Sequence, residues 1–546
     1  MLDNIADRLY YICMNISFVF SDDWGESAAV KPFVLFRDSV GPALEARRAQ
    51  LEAMYAPVMG RPEIDPVFLT GITLLQMMER LPDRQAVTAC MYDARWRLAL
   101  GISRDWKGLD PSTLVYFRQR LARHGCARVA LEAGLEAMRR AGYLRRHGAV
   151  RIDSTHVLAD IAKLSRLECI RETLHLALNF LAAFGGSSGW EPWFSRYAER
   201  TPLALRNASV PQLTVSMAQA GQDAGEILAR TRALGEVVVQ SEPVALLQRV
   251  FEEQFQVRDG TLQQRSITPS GDVRNPHDPD AEWSTKKSLG KRGWVGYKLH
   301  VCETATDGTH HAGEPTTAVI TAVVTQPAIT SDHGSLSPVI AAHVQSGQLR
   351  PETVFADAGY ISAPTLLQAD AEGYELCGPV GAPPHSANRF GSDAFAVDIP
   401  NRRAICPAGI LSSECSRITE TASGVTCYYF AWAQSDCGAC PLHERCLSKR
   451  KRRPFRTLQV GEHHMVVQAR RRLCKEPEYQ NRMHRRNAIE GTHSELMRGY
   501  RLRKSRYRGI AKTDIQMQFT ATACNLRRWA ARLCWLHRSR TSHAAA

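Results

Sequence analysis

Long hydrophobic runs are missing from this chain. No apolar stretch among its 546 residues approaches the roughly 18 needed to cross a bilayer. The longest candidate, Tyr10–Phe20, is interrupted by Asn15 and Ser17. Asp3 and Asp7 precede it, where a secretory signal would carry basic residues, so neither a membrane span nor a signal peptide is expected. There is no G-x-x-x-x-G-K-[ST] loop, which excludes ATP-driven chemistry of the usual kind, and no H-E-x-x-H pair. No fixed-period repeat is present, which argues against a solenoid or propeller. The 15 cysteines are odd in number and too dilute for a disulfide scaffold, and predict a reducing, cytoplasmic compartment. What is there is ordinary for a globular protein, with 44% hydrophobic and 23% charged residues. At about 150 residues per domain, the length predicts three to four domains.

Charge is distributed unevenly. The net charge is +14, yet from Lys449 onward there are 25 Lys+Arg against 6 Asp+Glu. The preceding residues hold 44 and 49, a slight acidic excess. A concentrated basic field of this kind suits a phosphate backbone, because neutralising phosphates releases counterions. The segment also contains Ile489, Leu496, Tyr500, Ile515, Met517, Phe519 and Trp529, so it is expected to fold rather than to act as a solubility tail.

The pattern along the chain predicts an extension over 1–45 and helices over 46–145. Asp65-Pro66 opens a helix through Leu81, Pro82-Asp83 restarts one that Gly101 ends, and Asp110-Pro111 opens a third. Leu114, Phe117 and Leu121 share a face of the third helix, with Arg118, Arg120 and Arg123 elsewhere. This is either a small DNA-binding module or a structural bundle. A strand follows at 148–157, then a helical insertion over about 160–265, then two strands at 294–304 and 316–325. A helix near 335–345 and a strand at 352–360 complete a mixed α/β sheet within 146–376. Residues 377–456 form a cysteine-rich insertion with a basic link, and helices resume over 457–546.

Asp153 follows the apolar, β-branched run AVRI and is expected at or near the end of its strand. Asp357 follows TVFA and precedes a turn at Ala358-Gly359-Tyr360. Two aspartates at strand ends can converge on one sheet edge and hold hard divalent cations, which prefer oxygen ligands. Two such ions stabilise both oxygens of an in-line phosphoryl displacement. Glu490 stands among cations, with Arg486 at i−4 and Arg498 two turns later, either as an ion-pair partner or as a third ligand. Glu495 is the competing choice. Trp294 and Tyr297 read as sheet packing, and Lys298 beside them is either a phosphate contact or, the more ordinary reading, a solvated lysine. Gly185–Gly189 matches a G-x-S-x-G nucleophile pattern, but it follows a helix-like run, which removes Ser187 as a nucleophile.

These segments resemble a family. RIDSTHV (151–157), WVGYKLHV (294–301), TVFADAGYIS (353–362) and RRNAIEGTHSELMRGYRLRKSRYRG (485–509) are similar, in order, to DDE-type bacterial insertion-sequence transposases of the IS1182-like branch of the IS4/IS5-related group. LDPSTLVYFRQRL resembles that group's N-terminal domain, and CP…CGACPLHERC its cysteine-containing insertion. The resemblance implies an RNase H-like core in which Asp153, Asp357 and Glu490 are catalytic and bind Mg (or Mn). Arg486, Arg498 and Lys298 would face DNA. It further implies terminal inverted repeats and target DNA as partners, a homodimer on DNA, and a nucleoid-associated bacterial location. Met483 stands where the group has tyrosine, and Met497 where it has lysine. A nuclease without strand joining, or a non-catalytic DNA-binding derivative, are the alternatives.

Four cysteines form a separate candidate. Cys437-x₂-Cys440-x₅-Cys446 with Cys406 upstream supplies four thiolates, enough to close a tetrahedral Zn site, with His443 as a substitute ligand. The alternative is a set of buried cysteines without metal.

Overall fold

The computed structural model describes residues 27–56, 64–103, 105–186, 188–197, 208–285, 293–305, 314–381, 389–421, 424–447 and 454–544. The run at Tyr10–Phe20, Ser187 and most of the basic link at 448–456 therefore lie outside the described residues. No described helix is long and apolar enough to cross a membrane.

Helices begin at Lys31 and follow one another through Arg140. Helix α1 (Pro66–Glu79) starts where Asp65 accepts the Val67 amide at 2.8 Å and Pro66 pre-sets the first turn, and ends at left-handed Arg80. Helix α2 (Ser112–Arg123) buries Leu114, Phe117 and Leu121, as their spacing predicts. Arg118 is buried with them, paired to Asp83 at 2.7 Å and lying over the Tyr507 ring.

The central sheet has six strands: β1 (His147–Leu158), β2 (Glu282–Thr285), β3 (Gly293–Thr304), β4 (Ile320–Pro327), β5 (Arg350–Phe355) and β6 (Glu375–Cys377). The order is β2-β3-β1-β5-β6, with β4 joining β3 beside β2. β3 is antiparallel to β1, β2 and β4, whereas β1, β5 and β6 run parallel. Gly296 permits the close approach of β1 to β3, since a Cβ there would stand 2.0 Å from the Val157 carbonyl oxygen. Strand β2 was not anticipated, because its short polar sequence carries no clear alternation. The strand expected at 352–360 ends at Phe355, where DAGY turns.

One face of the sheet packs on the N-terminal helices and on the last helix, α5 (Ile510–Ala544). The other packs on α3 (Asp332–Gly347), through Leu336, Val339 and Ile340 against Val150, Ile152 and Val354. Helix α5 also covers the edge strand: Asn525 exchanges two hydrogen bonds with the Ile320 backbone (2.8 and 2.7 Å), and Gln518 donates to the Val323 carbonyl. Edge groups satisfied in this way are unavailable to another chain. The helical insertion between β1 and β2 has its own core around Leu174, Ile227 and Leu247. The cysteine-rich part carries a three-stranded antiparallel sheet and a small core around Phe430 and Trp432.

Candidate functional site

Asp153 is not at the end of its strand. β1 continues to Leu158, and Asp153 pairs with Val301 of β3. What ends near it is the neighbour on the other side: β1 and β5 part after the pair Arg151–Phe355. Just beyond that pair come Asp153, still within β1, and Asp357, two residues past the end of β5. The turn after Asp357 is held by its own carboxylate, whose Oδ1 accepts the Gly359 amide at 2.9 Å. Burial raises the Asp357 pKa above the ordinary aspartate value, and the charges of Asp153 and Asp332 raise it further.

The basic segment reaches the same place. Its helical stretch tightens over His484–Ala488, continues as α4 (Ile489–Ser494) and widens into a π-helical turn over Glu495–Gly499. Arg151 donates to the Arg485 carbonyl at 3.4 Å, and the next residue, Arg486, pairs with Asp153 at 2.9 Å. The same guanidinium meets Glu490 at 3.5 Å. His493 stands 3.9 Å from Asp153. Asp153 and Glu490 are thus bridged by an arginine, and Asp153 acts electrostatically on Asp357. Glu490 is 69% exposed.

Glu495 faces elsewhere. It pairs with Arg528 of α5 at 2.7 Å, and Arg528 also meets Glu303 at 3.2 Å. Glu303, fully buried on β3, receives Arg151 at 2.6 Å and the Thr492 hydroxyl at 2.6 Å. This network joins α4 to the sheet and includes Glu495 through Arg528.

Arg498 is exposed beside this segment. Lys298 is held within the protein, donating to the Thr330 carbonyl at 2.5 Å and to Asp332 at 3.2 Å. Trp294 and Tyr297 are buried in packing, with the Tyr297 hydroxyl on Asp278. Sequence reasoning missed Asp332, His300 and His493. Asp332 follows Ser331, a helix-capping residue, directly after β4 and so carries a local signal only for a helix start. His300 is fully buried, its Nδ1 paired with the Tyr360 hydroxyl at 2.6 Å, and burial lowers its pKa to about 4.

Among the described residues, no three His, Cys, Asp or Glu side chains already surround a common metal position. The site offers instead an oxygen-rich set whose charges are met by Arg486 and Lys298. Such donors suit Mg²⁺ or Mn²⁺ rather than a soft metal. The cysteine quartet is separate from this site. Cys406, Cys437 and Cys446 pack around the same small core, and burial raises the Cys446 pKa while Arg456 opposes it and the other three thiols add to it. Cys437 Sγ accepts the Arg456 amide and Cys440 Sγ the Leu442 amide, both at 3.4 Å. His443 turns its Nδ1 to the Cys437 carbonyl at 2.7 Å.

Two family models match the chain. One, described as Transposase DDE domain, covers residues 405–530, and the other, Transposase domain (DUF772), covers 31–120. The first includes Arg486, Glu490, Glu495 and Arg528, while Asp153 and Asp357 lie outside both. Together they support an insertion-sequence transposase, an enzyme acting on DNA. No curated protein and no solved structure matches the chain.

Proposed function

We propose that this chain is a DDE transposase with an RNase H-like core. It binds the ends of an IS1182-like insertion sequence, cleaves there with divalent-metal assistance and transfers the freed strand to target DNA. One observation supports the reading: the β1–β5 pairing ends just before Asp153 and Asp357, the charge of Asp153 acts on Asp357, and Glu490 is joined to Asp153 through Arg486. The strand directions, antiparallel across β4, β3 and β1 and parallel across β1, β5 and β6, support the core assignment.

Asp153, Asp357 and Glu490 would hold Mg²⁺ or Mn²⁺. Such ions, when bound, would supply Lewis-acid chemistry for an in-line displacement at a phosphodiester. Arg486 neutralises Asp153 and Glu490 before loading, and then offers its guanidinium to a phosphate. Arg498, exposed on the adjoining turn, extends the phosphate-binding surface. Pairing two DNA ends calls for a homodimer on DNA.

Asp153→Asn and Asp357→Asn are each expected to slow cleavage of an end-bearing duplex at least about a hundredfold, with DNA binding in a mobility-shift assay retained. Wild-type cleavage by either variant overturns the assignment. Pre-cleaved ends with free 3′-OH groups test joining, and cutting without joining would make the chain a nuclease.

For the cysteine-rich part, the proposal is a structural zinc site on Cys406, Cys437, Cys440 and Cys446. Two of the sulfurs accept backbone amides, Cys437 from Arg456 and Cys440 from Leu442, and Cys406, Cys437 and Cys446 pack around one small core, which supports this reading. Bound zinc would cross-link a region whose own core is small. Protein purified without chelator should contain zinc by elemental analysis, and its absence would leave these as ordinary packed thiols.

A further inference from the structure

We infer that the cleft between the cysteine-rich part and the helix His464–Leu473 binds the backbone of duplex DNA where it runs on beyond the proposed site. The inference deepens the transposase reading and rests on it. The cleft encloses about 580 Å³. Buried Phe395 and Val397 and half-buried Val380 give it an apolar side, and Arg471, Arg472 and Lys475 line it with positive charge. Asp393 is the one acid among the lining residues, which leaves a positive excess.

The cleft adjoins the sheet edge that carries Asp357. The helix is seated on the end of β6, where Arg470 donates to the Leu376 carbonyl at 2.6 Å and to the Gly378 carbonyl at 3.4 Å. Gln468 donates to the Ser392 carbonyl at 3.4 Å and ties the helix to the cysteine-rich part. The Cys377 carbonyl accepts the amide of Ala356, the residue before Asp357, at 3.0 Å. A Cβ on Gly378 would stand 2.3 Å from the Ala356 carbonyl oxygen, so the chain leaves β6 in contact with the approach to Asp357. Pro379, Val380 and Gly381 follow directly and form one wall of the cleft.

Exposed Arg472 and Lys475, taken singly, are ordinary solvated cations. Arg471 is not. Its Nη2 donates to the Gly381 carbonyl at 3.2 Å, while Nε and Nη1 are shielded from water and have no acceptor among the described residues. Buried donors left unmet cost free energy. Turning this guanidinium into the cleft exchanges one bond to a carbonyl for two charge-assisted bonds to a phosphate. The apolar side suits the carbon face of a deoxyribose, which a free inorganic anion does not have. DNA held at Asp153 and Asp357 has to continue past them, and this cleft lies along one of its two directions.

The test is fluorescence anisotropy of the full chain with end-bearing duplexes lengthened stepwise on either side of the end, with thermal melting as the control on folding. Arg471→Gln/Arg472→Gln/Lys475→Gln should weaken binding about tenfold for duplexes extended on one side and leave the shortest duplexes unaffected. Its salt dependence should fall by about two to three phosphate contacts. Asp393→Asn should tighten binding of the same extended duplexes about twofold, a gain that a folding defect does not produce. If the triple variant melts and binds as wild type, or Asp393→Asn leaves binding of every duplex unchanged, these are solvated surface charges and the inference is overturned. Cleavage by Asp153→Asn and Asp357→Asn then still decides the transposase reading on its own. If the triple variant loses only binding of inorganic phosphate, measured by calorimetry, the cleft is a small-anion site and the inference is likewise overturned. If the wild type neither binds nor cleaves end-bearing duplexes, the functional reading fails and this inference falls with it.

Discussion

Two clusters of arginine and carboxylate lie side by side on β1, and they behave in opposite ways. Around Glu303, Arg151 and Arg528 are less than a tenth exposed and both glutamate oxygens are bonded. Around Asp153, the partners are part-exposed Arg486 and largely exposed Glu490, and neighbouring Asp357 is held at a raised pKa. Arg151 and Asp153 share one face of one strand, so backbone placement does not separate the clusters. Burial and completeness do. A dry, fully bonded network resists any change of partner, whereas a wet, incompletely matched one exchanges partners easily. The first positions α4 through Thr492, and the second is the one in which the proposed function places the chemistry.

The largest expected effect breaks the dry cluster. Glu303→Ala leaves two buried arginines without their shared carboxylate and should cost about 3–5 kcal/mol. A lower midpoint in thermal unfolding would report it. An unchanged midpoint would mean that this network does not hold the helix to the sheet.

A sharper comparison uses the two glutamates of the basic segment. Glu490→Gln should leave stability within about 0.5 kcal/mol, because its side chain is largely exposed, yet slow cleavage at least about a hundredfold. Glu495→Gln should cost about 1–3 kcal/mol by weakening the charged bond to Arg528, with cleavage retained wherever the protein stays folded. Melting and cleavage assays on both variants decide the matter. The reverse pattern would make Glu495 the acid.

Much of this was legible in the chain. Capping and apolar spacing located α1 and α2, and alternation located β1 and β3, because these signals are local. The basic segment showed in the charge count, and Asp153, Asp357 and Glu490 stood out through their contexts. What local pattern cannot show is which residues meet across hundreds of positions. Arg118 looked like a surface arginine of an amphipathic helix, yet it is buried against Asp83 and Tyr507. Lys298 looked free for phosphate, yet it is occupied by Asp332. Glu303 and Arg528, far apart in sequence, gave no sign of pairing. Glu490 and Glu495 were indistinguishable until the helix was set against the sheet, since their spacing alone puts neither toward Asp153.

The smallest expected effect runs in the unusual direction and bears on the wet cluster. The folded pKa of Asp357 lies above the ordinary value, chiefly through burial and then through Asp153. For a carboxyl with a raised folded pKa, the native state binds the proton more tightly than the unfolded chain. Its ionisation therefore leaves the fold unaffected below the unfolded pKa of about 3.9, and weakens it progressively as pH rises to the folded pKa. Above that the cost is constant. Asp357→Asn removes this cost, so at neutral pH and without divalent metal the variant should melt slightly above wild type. The gap should close as the pH falls toward the ordinary aspartate value. Added Mg²⁺ should raise the wild-type midpoint more than the variant's, because only the wild type gains a ligand. A variant that melts lower at neutral pH would place Asp357 with Glu303 among the groups that hold the fold, and would remove the distinction between the two clusters.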